Sequence, residues 1–409
     1  MSKSKTIVQT SSKKWIVLLC FALAAAMNQM LWLNFAPILS TVEKLYGVSE
    51  SQANLLILVF PLIYVFLSVP AGALTDRRGY RTSLTLGTVM MAAFACLRIY
   101  PGNFWILLTG QIGIAIAQPY IINSITKLVL DWFEKEHEAM AIGLGTMGMF
   151  IGMAAGMAVT PTMVESLGMQ NTMIAFAVVS CAIALAVMVW VRPNPVNDAS
   201  RAIEAAAAPV PFAKTFMALI RNHQLLFIFI LSFLGLGYFN GVTTWLEGIL
   251  APHGINSEQA GIAGGVMILG GIVGAAIIPA LSDKLKKRKP LLIFCLLISA
   301  LTAYPFAEPS SYTMVLVLGA IQGFFILPAF SLLLEMCSEV AGSAHAAVAT
   351  GILMLMGNAG GVIVILAMEW IKGDSPSFER SILMLLGLLV IGLGMAFRIK
   401  ETYVLRQHS

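Results

Sequence analysis

Charge is scarce in this sequence. Only 11% of the 409 residues are Asp, Glu, Lys or Arg, against about 25% in ordinary soluble domains. Twenty acidic and 25 basic side chains are too few to give a chain of this length a water-facing surface, which excludes a soluble enzyme of ordinary composition. With 58% of residues apolar, a disordered chain is excluded as well. Cysteine is sparse: Cys20, Cys96, Cys181, Cys295 and Cys337 are scattered without a Cys-x-x-Cys pair, so neither a disulfide framework nor a zinc site is indicated. His137, His223, His253, His345 and His408 are equally dispersed, and neither a metal nor a cofactor is expected. The sequence has no Gly-x-x-x-x-Gly-Lys-Ser/Thr loop, no Gly-x-Ser-x-Gly and no His-Glu-x-x-His. An ATP-driven pump and an intramembrane enzyme are therefore not expected, and no catalytic residue is assigned. The net charge of +5 forms no continuous basic face, so nucleic acid is not an expected partner.

What is present is apolar length. Runs over 15–38, 53–74, 82–100, 104–126, 139–162, 172–191, 224–249, 260–281, 290–306, 313–335, 345–370 and 381–398 predict an all-α membrane protein with about twelve spans. The first run is too long for a signal-peptide core and reads as a retained helix. An even number places both termini on one side. Twenty-one of the 25 Lys and Arg residues fall in segments on that side, and only Lys44, Arg98, Lys372 and Arg380 on the other. The positive-inside rule then puts both termini in the cytoplasm of a plasma membrane, the inner membrane in a bacterial cell.

The longest polar stretch, 192–222, divides the chain into 1–191 and 223–409. The halves repeat each other locally. Ala73-Leu74-Thr75-Asp76 recurs as Ala280-Leu281-Ser282-Asp283, Ala139-Met140-Ala141-Ile142-Gly143 as Ala347-Val348-Ala349-Thr350-Gly351, and Pro119 as Pro328. A nearly constant offset at matching places in the span order implies a duplication: two pseudo-symmetric six-helix bundles joined by a cytoplasmic linker, an architecture of many secondary transporters.

The loop after span 2 reads Gly72-Ala73-Leu74-Thr75-Asp76-Arg77-Arg78-Gly79-Tyr80-Arg81. Gly72 permits close helix approach, and Asp76 can pair with the arginines or with a helix N-terminus. Such a cluster can lock one conformation and release in another, which makes Gly72, Asp76, Arg77, Gly79 and Arg81 gating candidates, with Asp283 in the second copy. This pattern resembles the signature loop of the major facilitator superfamily, and the degenerate copy at Asp283, Lys287 and Arg288 fits it. The resemblance covers essentially the whole chain. It implies the major facilitator fold and alternating access, with two bundles rocking about a central cavity.

A narrower resemblance lies in spans 1, 4 and 5. Asn28-x-x-x-Trp32, Ala117-Gln118-Pro119-Tyr120-Ile121-x-Asn123-x-x-x-Lys127 and Trp132-Phe133-x-x-x-x-Glu138-x-x-Ala141 are similar to the branch of the feline leukaemia virus subgroup C receptor-related proteins. That branch is associated with choline, ethanolamine, heme and vitamin B6 transport. The resemblance implies Trp32 and Gln118 as pocket residues. One departure concerns span 7, where Asn240 stands at the place of the tyrosine that completes the aromatic cage of the choline carriers. Tyr238 and Trp245 are nearby.

Polar residues at membrane depth are expected to face a bundle interior. Asn28 and Gln29 (span 1), Asn54 (span 2), Gln111, Gln118 and Asn123 (span 4), Asn240, Thr243 and Thr244 (span 7), Gln322 (span 10) and Asn358 (span 11) are the candidates. Each could instead staple two helices. Glu247, near the outer end of span 7, could carry a coupled proton or attract a substrate cation. Glu335, Glu369 and Glu165 read as solvated or structural, and Asp131 as part of a cytoplasmic loop. Breaks or bends are expected at Pro37, Pro61, Pro119, Pro161, Pro279 and Pro328. Gly143, Gly145, Gly148, Gly152 and Gly156 offer a small-residue face in span 5.

The function expected is a secondary active or facilitative transporter of a small organic solute, cationic or amphiphilic, with proton coupling as one mode. A carrier of organic anions or drug-like efflux substrates is the alternative, and a solute-binding receptor or sensor without net transport the second. A monomer in the lipid bilayer with a small-molecule substrate is expected.

Overall fold

The structure is a computed structural model that describes residues 2–100, 102–134, 137–192, 217, 219–342, 345–373, 375 and 377–403. Most of the expected linker 192–222 lies outside the described residues. The described chain is helical: α1 (Ser2–Leu33), α2 (Leu39–Tyr46), α3 (Glu50–Leu97), α4 (Phe104–Ile122), α5 (Ser124–Trp132), α6 (Glu138–Trp190), α7 (His223–Leu250), α8 (Ser257–Leu285), α9 (Lys289–Ala307), α10 (Tyr312–Ala341), α11 (Ala346–Lys372) and α12 (Glu379–Ala396). Two 3₁₀ turns, Ala36–Ile38 and Ala251–His253, follow α1 and α7.

Ten helical segments among the described residues are long and apolar enough to cross a bilayer. Two of them are far too long to cross once. α3 has 48 residues and α6 has 53, about 72 and 80 Å at 1.5 Å per residue, against a hydrocarbon core of about 30 Å. Each is interrupted at a glycine with non-helical backbone, Gly79 (φ 82°, ψ 158°) and Gly168 (φ 79°, ψ 162°). A side chain would be strained at such φ values. Splitting α3 and α6 there turns ten segments into twelve.

Caps explain where the helices start. Ser49 with Gln52 and Asn256 with Gln259 form capping boxes at α3 and α8, and Asn103, Asn222 and Ser311 cap α4, α7 and α10. The prolines break less than expected. Pro37 lies in the turn that ends the first span, but Pro61, Pro119, Pro161, Pro279 and Pro328 sit inside continuous helices. Membrane helices tolerate proline where neighbouring groups satisfy the freed carbonyl.

The chain divides into two compact units. The first holds α1 to α6 except for Ala36–Leu39, which group with α7 to α12 in the second. In the first unit α1 packs on the first part of α6. A Cβ on Gly148 would sit 2.7 Å from the Ala22 carbonyl oxygen, one on Gly156 2.6 Å from that of Met30, and one on Gly152 would overlap that of Ala26. Glycines four residues apart thus face a backbone ridge with the same spacing, so the helices meet almost backbone to backbone. In the second unit α7 packs on α11 in the same way, Gly360 against the Phe233 carbonyl. The core of the second unit gathers Leu225, Phe229, Leu292, Leu332, Met336 and Leu353.

A positive φ recurs at the matching place in each half. Gly79 has a positive φ three residues after Asp76, and Lys286 has one (φ 55°) three residues after Asp283. The two turns share the sign of φ but not their geometry: ψ is 158° at Gly79 and 38° at Lys286, in the left-handed helical region that a lysine can enter.

Candidate functional site

In the first unit Asn28 and Gln111 tie α1, α3 and α4 together through buried amides. Asn28 and Gln29 are fully buried in α1, as is Gln111 in α4. Asn28 Nδ2 donates to the Ile114 carbonyl (3.3 Å). Gln111 Nε2 donates to the Leu31 carbonyl (3.0 Å) and the Leu56 carbonyl (2.9 Å). A nitrogen beside carbonyl oxygens can only be donating, which fixes the orientation of both amides. Their oxygens, Asn28 Oδ1 and Gln111 Oε1, have no protein partner among the described residues, nor do Gln118 Oε1 and both amide atoms of Gln29. Trp32 is buried, stacks on Phe60 (5.9 Å between centroids) and donates Nε1–H to the Ile57 carbonyl (3.2 Å). Asn54 is buried in α3. Asn123 is a staple: it ends α4, donates to the Ser68 carbonyl (2.9 Å) and accepts from Tyr64 Oη (3.2 Å).

The second unit repeats the pattern. Asn240, Thr243, Thr244 and Gln322 are buried. Gln322 Nε2 donates to the Ser299 carbonyl (2.7 Å) and to Thr302 Oγ1 (2.9 Å), and its oxygen, like Asn240 Oδ1, has no partner among the described residues. Thr243 bonds back to the Phe239 carbonyl within its own helix. Trp245, buried against Phe378, donates to the Ile365 carbonyl (3.2 Å). Tyr238 lines a small apolar cavity of about 10 Å³ with Val242, Phe306 and Ile382. Glu247, 6% exposed, accepts from Ser257 Oγ at 2.5 Å. Asn358 is half-buried and donates to its own helix at the Met354 carbonyl.

The two signature loops differ. In the first copy Asp76, Arg77 and Arg81 are exposed and Gly72 is half-buried. Lys127 Nζ donates to the Asp76 carbonyl (2.6 Å). The buried centre is Tyr80, whose hydroxyl lies 3.0 Å from Asp131 Oδ2 and 2.8 Å from the Arg192 carbonyl and accepts from Trp132 Nε1 (2.6 Å). Asp131 is therefore not a loop residue: it is buried in α5. α5 is a short amphipathic helix, and the burial of its apolar face carries Asp131 inward to Tyr80. Nothing in the sequence singles out Tyr80, because the glycine and the charged residues on either side of it carry the motif.

In the second copy an arginine takes the centre. Arg288, 1% exposed, pairs with Asp283 (2.8 Å), Glu335 (2.7 Å) and Glu339 (3.3 Å) and donates to Ser282 Oγ (3.0 Å). Glu401 accepts from the backbone N–H of Arg288 and Lys289. Burial lowers the Arg288 pKa, but the surrounding carboxylates outweigh it and raise it.

A family model described as Major Facilitator Superfamily matches residues 20–365 and 238–405. The chain belongs to the major facilitator superfamily. A choline/ethanolamine transporter, FLVCR1 of Mus musculus, is 25% identical, with 98% of this chain and 77% of the relative covered. Solute carrier family 49 member A3 of Danio rerio is 26% identical, covering 87% and 78%. Among solved structures, a bacterial homologue of the human lysosomal transporter Spinster, inward-facing and unoccupied, superposes with a TM-score of 0.71 at 15% identity, covering 95% of this chain and 97% of that one. The nucleoside transporter NupG gives 0.73 at 14%, covering 94% and 99%. These structures share the fold. The chain is an integral membrane transporter of small organic solutes, not an enzyme.

Proposed function

We propose that this superfamily member is a secondary carrier of a small organic solute that is cationic or rich in hydrogen-bond donors, moved by alternating access. The observation that supports this reading is the orientation of the buried amides. Asn28, Gln111 and Gln322 give their N–H groups to neighbouring atoms and keep acceptor oxygens to spare. Buried acceptors without a donor are costly, and a solute carrying N–H, O–H or positive charge would satisfy them. Trp32, Gln118, Tyr238, Asn240, Thr243, Trp245 and Asn358 are the further residues proposed to act on the solute. Choline and ethanolamine, named for the mouse relative, have this chemistry.

Both termini are proposed to lie in the cytoplasm of a plasma membrane, on the strength of the Lys and Arg distribution. The loop at 72–81 and its copy at Asp283 are proposed as the gate. Glu247, a buried carboxylate, is proposed to couple a proton. Uptake of labelled choline and ethanolamine into proteoliposomes tests the reading. Saturable uptake, lost in a Gln118→Ala variant that remains monodisperse, is the expected result. Binding without uptake would favour a sensor.

A further inference from the structure

One buried cation stands apart from this amide set. Arg98 follows α3 and is 2% exposed. An arginine at the end of a membrane helix ordinarily extends its stem so that the head reaches water. Here the stem is held in. Gly110 of α4 faces it so closely that a Cβ there would come within 2.6 Å of Arg98 Cγ. The guanidinium lies over the Phe35 ring (4.7 Å to the centroid) and Nη2 donates to Met173 Sδ (3.1 Å). A thioether is a weak acceptor. Nε and Nη1 have no partner among the described residues, and neither amide atom of Asn34, fully buried beside Phe35 in the chain, has one. No carboxylate among the described residues pairs with Arg98. A guanidinium keeps its charge at neutral pH even when buried.

A guanidinium shielded from water, without a counter-charge among the described residues and with Nε and Nη1 unused, is an incomplete arrangement. Its planar fork matches the two oxygens of a carboxylate or phosphate. We infer that Arg98, with Phe35 on its face and Met173 at one edge, is a binding site for a small oxyanion in the first unit. A free carboxylate or phosphate and a lipid phosphate share this chemistry.

The test uses the full chain in nanodiscs of phosphatidylcholine, and separately in discs containing phosphatidylglycerol. Thermal unfolding is followed while acetate or phosphate replaces chloride at constant ionic strength. A free oxyanion is expected to raise Tm saturably, by about 2 °C or more at tenfold excess over Kd. A lipid phosphate would raise Tm in the phosphatidylglycerol discs without added anion. Arg98→Gln should abolish either response. Arg98→Lys, which keeps the charge but not the fork, should weaken it at least threefold in half-saturating concentration. Equal Tm values in every anion and both lipids would overturn the inference, as would an undiminished response in Arg98→Gln. The wild-type series decides alone if the glutamine variant does not fold.

Discussion

The thiol sulfurs of Cys96 and Cys181 lie 3.7 Å apart, although 85 residues separate them in the chain. One is near the end of α3 and the other in the second part of α6, and both are exposed on the surface of their unit. Copper phenanthroline should therefore close a disulfide within one chain. Titration under denaturing conditions should fall from five thiols to about three, and a Cys181→Ala variant should lose none of its remaining four. An unchanged count of five would contradict the packing of these two helices.

Burial changes which Trp32 variant is informative. Trp32→Ala would open a cavity beside Phe60 and cost roughly 3–5 kcal/mol, confounding any binding measurement. Trp32→Phe retains most of the packing and removes the hydrogen bond to the Ile57 carbonyl, worth about 1 kcal/mol. Its thermal stability should fall only slightly. If the indole acts on the solute, choline or ethanolamine affinity should drop at least tenfold, and wild-type affinity would remove Trp32 from the site.

The glycine face of α6 predicts a position-dependent series. Gly152→Ala puts a methyl group into the Ala26 carbonyl and should destabilise by roughly 1–3 kcal/mol. Gly143 has nothing within 4 Å of a built Cβ. Gly143→Ala should be neutral or stabilising, by up to about 1 kcal/mol from helix propensity. Equal melting temperatures for the two variants would sink the close-approach account.

The two signature loops should respond unequally to loss of arginine. Arg288→Gln removes the counter-charge of Glu339, which is 7% exposed, and should cost about 3 kcal/mol. Asp283 and Glu335 are more open to solvent and add little. Arg81→Gln, on an exposed side chain, should change stability by less than about 0.5 kcal/mol. Its effect should appear in transport rate instead. Thermal unfolding and uptake measured on both variants separate these outcomes.

Glu247 is the carboxylate proposed to carry the proton. With an imposed pH gradient, wild-type proteoliposomes should accelerate uptake, and Glu247→Gln should respond only to membrane potential, worth about 2.3 kcal/mol per charge per 100 mV. A normal pH response in Glu247→Gln would assign coupling elsewhere.

Composition and local pattern by themselves determined that this is a helical membrane protein, and they located its apolar runs, the local repeat and the signature loop. Those features depend on transfer of residues from water to lipid and on short-range turn chemistry, both readable one segment at a time. Only the tertiary structure decided what each polar residue touches. Asn123 and Asn28 look alike in sequence, yet one is bonded on both sides of its amide and the other keeps an oxygen to spare. Arg98 reads as one more charge at the outer end of a span, and Asp131 as part of a loop, until helix packing encloses them. Partners that lie 51 to 85 residues away leave no periodic trace, because side-chain pairing across helices is set by packing and not by spacing along the chain.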